Sequence, residues 1–347
     1  MRLGIRCLRY ISVVSLSVWS LTAFAQQLTQ WPWREAILSV TDIDKTATFF
    51  ERLGGYITHH EGDLSDTELV SWGLSKGAKG RYRVIGPSMA ETGLVRLIDF
   101  DDAGSQEPMR PGARAWDTGC YFSLMVRVKG IESLYREAIE LGWWTETPIA
   151  PLEFGDSDLR IVIFKGPDGV QIQSYERLAP ALPDAVGPFD QMTRPFNIMQ
   201  MVEDHGRAYH FFTEVLGFES FYTGPPVKSL RPVISPIGIP WSMTTEVGYQ
   251  AGIVYPIPGE YGRMEMIQVH GLDGHDYRDR CKAPNLGILA VRFPASNLDL
   301  IAARLDHAAV SYQRHPMIDL GDLGEIELLT TQSPDGALIQ FYSAVEH

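Results

Sequence analysis

ILSVTDIDKTATFFERLGGY (37–56) and IMQMVEDHGRAYHFFTEVLGFE (198–219) share one grammar. Each is a short apolar strand, an acidic turn, then an amphipathic helix that ends at Leu-Gly. Asp42 and Glu203/Asp204 stand where N-cap and first-turn acids belong. Phe49/Phe50 and Phe211/Phe212 give each helix a buried face, and Gly54 and Gly217 fit the stop. The pattern occurs twice more, as FSLMVRVKGIESLYREAIELG (122–142) and ILAVRFPASNLDLIAARLD (288–306). The two halves also end alike, in KGPDGVQIQSYE (165–176) and QSPDGALIQFYS (332–343), where Pro-Asp-Gly between alternating runs marks a hairpin.

Pro167 maps onto Pro334 and Leu53 onto Leu216, offsets of 167 and 163 residues, so the chain is a duplication. Each half holds two units of one strand, one helix and about three strands. Residues 178–195, LAPALPDAVGPFDQMTRP, carry four prolines and break the periodicity. The expected organisation is a domain over 26–180, a linker over 181–192 and a second domain over 193–347.

Residues 1–25, MRLGIRCLRYISVVSLSVWSLTAFA, have the three parts of a secretory signal peptide: a basic start at Arg2, Arg6 and Arg9, an apolar run from Ile11 to Phe24, and Ala23-Phe24-Ala25 before the cut. The run is shorter than a spanning helix needs, so cleavage and export to the periplasm or exterior are expected, with no membrane contact afterwards. The chain has 347 residues, 45% hydrophobic and 21% charged, which suits a globular protein with a sizeable core. Its net charge of −13, without a basic cluster, argues against nucleic acid as a partner. Three cysteines cannot build a disulfide framework. A Cys120–Cys281 bond is open, but two separate buried thiols are the expectation.

An α+β chain of four βαβββ modules forming two cup-shaped domains in tandem resembles the vicinal oxygen chelate superfamily, which includes glyoxalase I, extradiol dioxygenases and bleomycin-resistance proteins. The resemblance implies an open sheet curled around a cavity. It also implies a divalent metal on the cavity floor, held by His, Glu or Gln from the first and last strands of the modules and acting as a Lewis acid.

At the matching positions the first domain offers Glu35, Arg96, Ser123 and Gln173, and the second offers Asn197, Glu265, Ile288 and Gln340. An arginine carries a permanent charge and donates no lone pair, so a Glu35–Arg96 ion pair is expected in place of a metal in the first domain. Asn197, Glu265 and Gln340 could hold a hard cation weakly if they converge. None of the nine histidines falls at a ligand position. Arg127 and Arg292 read as matching cavity-facing residues that, with Arg96, present guanidinium groups to a carboxylate, enolate or phosphate.

These residues suggest an exported enzyme of the lyase or isomerase type acting on a small oxygenated or aromatic compound. It would work without a cofactor, with Glu35 or Glu265 as general base and Arg96, Ser123, Arg127, Gln173 and Arg292 at the substrate. The alternatives are a non-catalytic binding protein of the bleomycin-resistance type, and a divalent-metal lyase or dioxygenase working through the second domain. The expected partner is a small-molecule ligand. Cups of this kind form within one chain or across two, which leaves a homodimer open.

Overall fold

The computed structural model describes residues 28–29, 31–112 and 114–344. The expected signal peptide, 1–25, lies outside the described residues. Among the described residues no helix is long and apolar enough to cross a membrane.

Four modules follow one another. The first is β1 (Glu35–Ser39), α1 (Ile43–Gly54), β2 (Ile57–Asp63), an added short helix α2 (Asp66–Ser71), β3 (Lys79–Gly86) and β4 (Leu94–Asp101). The second is β5 (Tyr121–Arg127), α3 (Ile131–Glu140), β6 (Trp144–Thr145), β7 (Ala150–Phe154), β8 (Ser157–Lys165) and β9 (Gln171–Ala179). The third is β10 (Asn197–Met201), α4 (His205–His210) running on into a π turn (Phe211–Val215), β11 (Glu219–Thr223), β12 (Gly248–Tyr255) and β13 (Arg263–His270). The fourth is β14 (Gly287–Pro294), α5 (Leu298–His307), β15 (Tyr312–Asp319), β16 (Glu325–Gln332) and β17 (Leu338–Ala344).

The helix signals work locally as read. The Asp42 carboxylate accepts from Lys45 N at 2.9 Å, and Asp204 from Arg207 N at 2.8 Å. The stop of α1 is Gly55, at φ +61°, rather than Gly54.

The modules combine differently from the expected halves. One sheet has the order β15-β16-β17-β14-β1-β4-β3-β2 and joins module four to module one. The other, β11-β12-β13-β10-β5-β9-β8-β6, joins three to two. Each cup is therefore built across the 178–195 linker or across both ends of the chain, and the domains 26–180 and 193–347 are repeats in sequence, not separate sheets. The seams are antiparallel pairings of first strands, β1 with β14 and β5 with β10. The sides of both sheets away from the cups share one core with the helices: Phe49 and Phe50 of α1, Leu134 of α3, Phe212 of the π turn and Ile301 of α5 are all fully buried in it. Such strands are covered on both faces, which is why β1 and β10 have no exposed residue.

Between modules one and two, and again between three and four, the chain crosses from one sheet to the other. The two crossovers run side by side, bridged at Pro108–Leu286 and Thr118–Asp276. A Cys120–Cys281 disulfide staples them, with Cα atoms 5.2 Å apart. This corrects the expectation of two free thiols. The cysteines are 161 residues apart in sequence and meet because each lies on one of the two crossovers. The Pro-Asp-Gly turns tie the sheets as well. Asp168 accepts from Thr41 N at 2.8 Å, and Asp335 from Glu203 N at 2.8 Å, each reaching from one sheet to the turn before a helix of the other.

Candidate functional site

In the first cup, of modules one and four, strand register sets Glu35, Arg96, Arg292 and Gln340 around the floor. All four are fully buried. Arg96 Nε donates to Glu35 Oε1 at 2.9 Å, and Arg292 donates to the same oxygen at 2.5 Å. Arg292 Nε also donates to Gln340 Oε1 at 3.0 Å. Arg96 pairs with Asp322, which Arg34 holds from the other side at 3.1 Å, and it lies 4.3 Å over the Tyr82 ring. The cup is then filled. From α2 and its end, Glu68, Leu69 and Trp72 enter it, and burial raises the Glu68 carboxyl above its ordinary value against the pull of Arg96 and Arg292.

The expected Glu35–Arg96 pair is present. Enclosed by two guanidinium groups, Glu35 has no path to a substrate proton, so the structure does not support it as a base. Nor do Arg96 and Arg292 reach a ligand, because each is fully buried in the ion network. Two fixed cations among the ligand positions do not fit a metal ion.

The second cup, of modules two and three, is open. The matching positions are Asn197, Glu265, Met125 and Gln173. This register corrects three expectations, the first being that Met125, not Ser123, stands at the ligand position of β5. Arg292 matches Met125, and Arg127 matches Pro294. Ile288 packs with Leu38 on the helix side, while Ala290 stands opposite Ile37 in the cup. Bulges between Ile37 and Leu38 and between Met199 and Gln200 shift the pairing, and nothing in the residues marks them.

Here a cavity of about 320 Å³ is lined by Glu265, Tyr175, Tyr249, Phe196 and apolar side chains of both modules. Asn197 Nδ2 donates to Glu265 Oε2 at 2.9 Å and sits 3.1 Å from Met125 Sδ. Ser123 Oγ donates to Gln173 Oε1 at 3.1 Å, and Gln173 Nε2 donates to the Tyr175 hydroxyl. Burial pushes Glu265 up to about 7; only the Asn197 hydrogen bond opposes the rise. Tyr175 rises well above its usual value through burial and then the Glu265 charge, so its hydroxyl keeps its proton. It accepts from Gln173 and has its own proton left to donate.

The sequence-derived set Asn197, Glu265 and Gln340 is not brought together. Gln340 belongs to β17 of the other sheet and is bound to Arg292 and Thr330. Around Glu265 remain a single carboxylate, an amide nitrogen turned towards it, a thioether and a second amide whose oxygen is taken. That donor set does not fit a divalent ion, which asks for several free oxygens or imidazoles. Among the described residues no group of three or more His, Cys, Asp or Glu is placed to hold one.

Sequence reasoning missed the rest of the lining. Tyr175 and Arg177 follow Gln173 on the same face of β9, and Arg263 precedes Glu265 on β13; all five line the cavity. Carrying the two-residue alternation outward from the ligand positions would have found them. Glu68 and Asp322 had no such signal, because they enter from a helix and a loop.

No protein-family model and no curated protein matches the chain. Solved structures do. Glyoxalase I from Zea mays is similar with a TM-score of 0.59 at 13% identity, over 90% of this chain and 92% of that one. A candidate dioxygenase from Bacillus subtilis is similar with a TM-score of 0.52 at 10% identity, over 91% of this chain and 86% of that one. With the four βαβββ modules and two curled sheets, these likenesses establish that the chain has the vicinal oxygen chelate fold.

Proposed function

We propose that the protein is an exported enzyme of the isomerase or lyase type whose one working site is the second cup, with Glu265 as a general base that needs no metal. The observation that carries this is a lone, buried carboxylate raised to about 7 in a cavity lined mainly by apolar and aromatic side chains. A base titrating near neutral pH serves proton abstraction best. In the step proposed, a C–H bond next to a substrate carbonyl breaks and its proton passes to a Glu265 oxygen. The electron pair moves onto the carbonyl oxygen, where the Tyr175 hydroxyl donates a hydrogen bond to it. Return of the proton to a neighbouring carbon gives isomerisation; loss of a β-substituent gives elimination. Export is supported by the composition of residues 1–25 and by the Cys120–Cys281 disulfide, a bond that persists in oxidising compartments.

The test is solvent deuterium incorporation, followed by NMR, into a panel of single-ring and short-chain ketones and keto acids. Exchange should be present at pH 8 and fade below pH 7. Glu265→Gln should slow it by roughly 10²- to 10⁴-fold. Exchange that survives that substitution overturns the base. The second reading, a protein that only binds, draws on the same apolar lining; it would show saturable binding in wild type with no exchange of any bound compound.

A further inference from the structure

The charged residues lining the cavity of the second cup are Glu265 and three arginines: Arg127, Arg177 and Arg263. The arginines form one group. Arg127 and Arg263 share a single carboxylate, Glu260, at 2.7 and 3.4 Å. Burial pulls Arg127 down to about 10, and the like charges of Arg263 and Arg177 add to the fall. Arg263 is lowered by burial too, with Arg177 again a contributor. Among the described residues Arg177 has no carboxylate of its own, and its Nε is buried without a hydrogen-bond partner; Arg127 Nη1 is in the same condition. Arg127 and Arg263 also donate to the Glu260 and Gly259 carbonyls, but three guanidinium groups with one carboxylate among them leave an excess of positive charge and two unused donors. Buried donors of this kind are costly when left unpaired. Glu265 lies on the cup floor, hydrogen-bonded to Asn197, and Tyr175 and Tyr249 both feel its charge. Along β13 the backbones of Arg263 and Glu265 are set apart by the rise of two strand residues, about 7 Å.

We infer that this cavity selects organic monoanions, small carboxylates with an apolar or single-ring body, and that Arg177, with Arg127 and Arg263, anchors the carboxylate at the end away from Glu265. The inference rests on the second cup being the working site and names its substrate class. Planar guanidinium groups match a carboxylate in paired hydrogen bonds, which a neutral amide cannot reproduce. A body of about one ring fits between this anchor and the base. The volume, near the lower end of the ~300–1,000 Å³ usual for ligand sites, leaves no room for a large carrier group.

Isothermal titration of the oxidised protein with phenylacetate, 3-phenylpropanoate and hexanoate, each against its amide, tests this at low salt. The acids should bind at least tenfold more tightly than the amides. Arg177→Gln should weaken the acids by about ten- to a hundredfold and leave the amides unchanged. Arg177 is partly buried and among the described residues makes no ion pair, so the variant should fold, as circular dichroism would show. Amides binding as well as acids, no acid binding at millimolar concentration, or an unaltered Arg177→Gln protein overturns the inference. Glu265→Gln separates it from the base reading. Acid binding should persist in that variant while deuterium exchange is lost. Exchange that persists alongside Arg177-dependent acid binding sinks the base and keeps the anion site. Exchange that is lost while acids and amides bind alike does the reverse.

Discussion

The floor of the first cup carries Glu35, Arg96, Arg292 and Gln340; the same four places in the second carry Asn197, Glu265, Met125 and Gln173. In the first, charges of both signs meet, neutralise one another and are sealed by α2 and the 321–324 loop. In the second, the one charge on the floor has no salt-bridge partner among the described residues, and the long 224–247 segment between β11 and β12 leaves a cavity over it. The same backbone therefore yields a structural block in one cup and a tuned acid–base group in the other. The difference lies in which side chains fill four register positions and what caps them.

The largest effect expected from breaking this contrast is on the first cup. Arg96→Met would leave Glu35 and Asp322 buried without their shared partner, and chemical denaturation should show a loss of roughly 3–5 kcal/mol. A loss under about 1 kcal/mol would mean that the charges do not hold the cup. Next is the staple between crossovers. Reducing Cys120–Cys281, or replacing both with Ser, should lower stability by about 2–4 kcal/mol without changing the sheets; unaltered denaturation curves would rule the staple out as a stabiliser.

In the second cup the sign reverses. Folding lifts Glu265 from 4.5 to about 7, so the folded state favours its protonated form. The stability this gives is full below pH 4.5 and is lost as pH rises through 7. Glu265→Gln, which cannot ionise, should be more stable than wild type at pH 8 by up to roughly 3 kcal/mol and indistinguishable from it at pH 4. Wild type as stable as the variant at pH 8 would show that Glu265 ionises at no cost, and the two cups would then not differ as described. The smallest effect belongs to Arg177→Gln, which should move stability by less than about 0.5 kcal/mol, since the side chain serves the cavity and not the frame. A loss of several times that would assign it a structural role.

Much of the module was legible because its signals are local. Asp42 and Asp204 cap helices, Phe49/Phe50 and Phe211/Phe212 face the core, and Pro-Asp-Gly turns precede β9 and β17. The Glu35–Arg96 pair was legible too, because β1 and β4 belong to one module and pair in parallel next to each other. Local alternation also placed Glu265, Asn197 and Gln173 on cup-facing positions. Arg127 was rightly turned inward but matched to the wrong residue, and Ile288 was turned to the wrong side because a bulge in β14 changes register without changing composition.

The sequence by itself determined four repeats, their elements and the face each strand presents, because helix capping, turn chemistry and alternation act over a few residues. Tertiary structure alone decided which modules share a sheet, that Cys120 meets Cys281, and that Gln340 lies in the other cup from Glu265. Those outcomes depend on how exposed strand edges and helix faces are satisfied across more than a hundred residues of chain. Any of the four first strands offers a similar apolar edge. Only the packing of all the helices into one shared core selects β1 with β14 and β5 with β10.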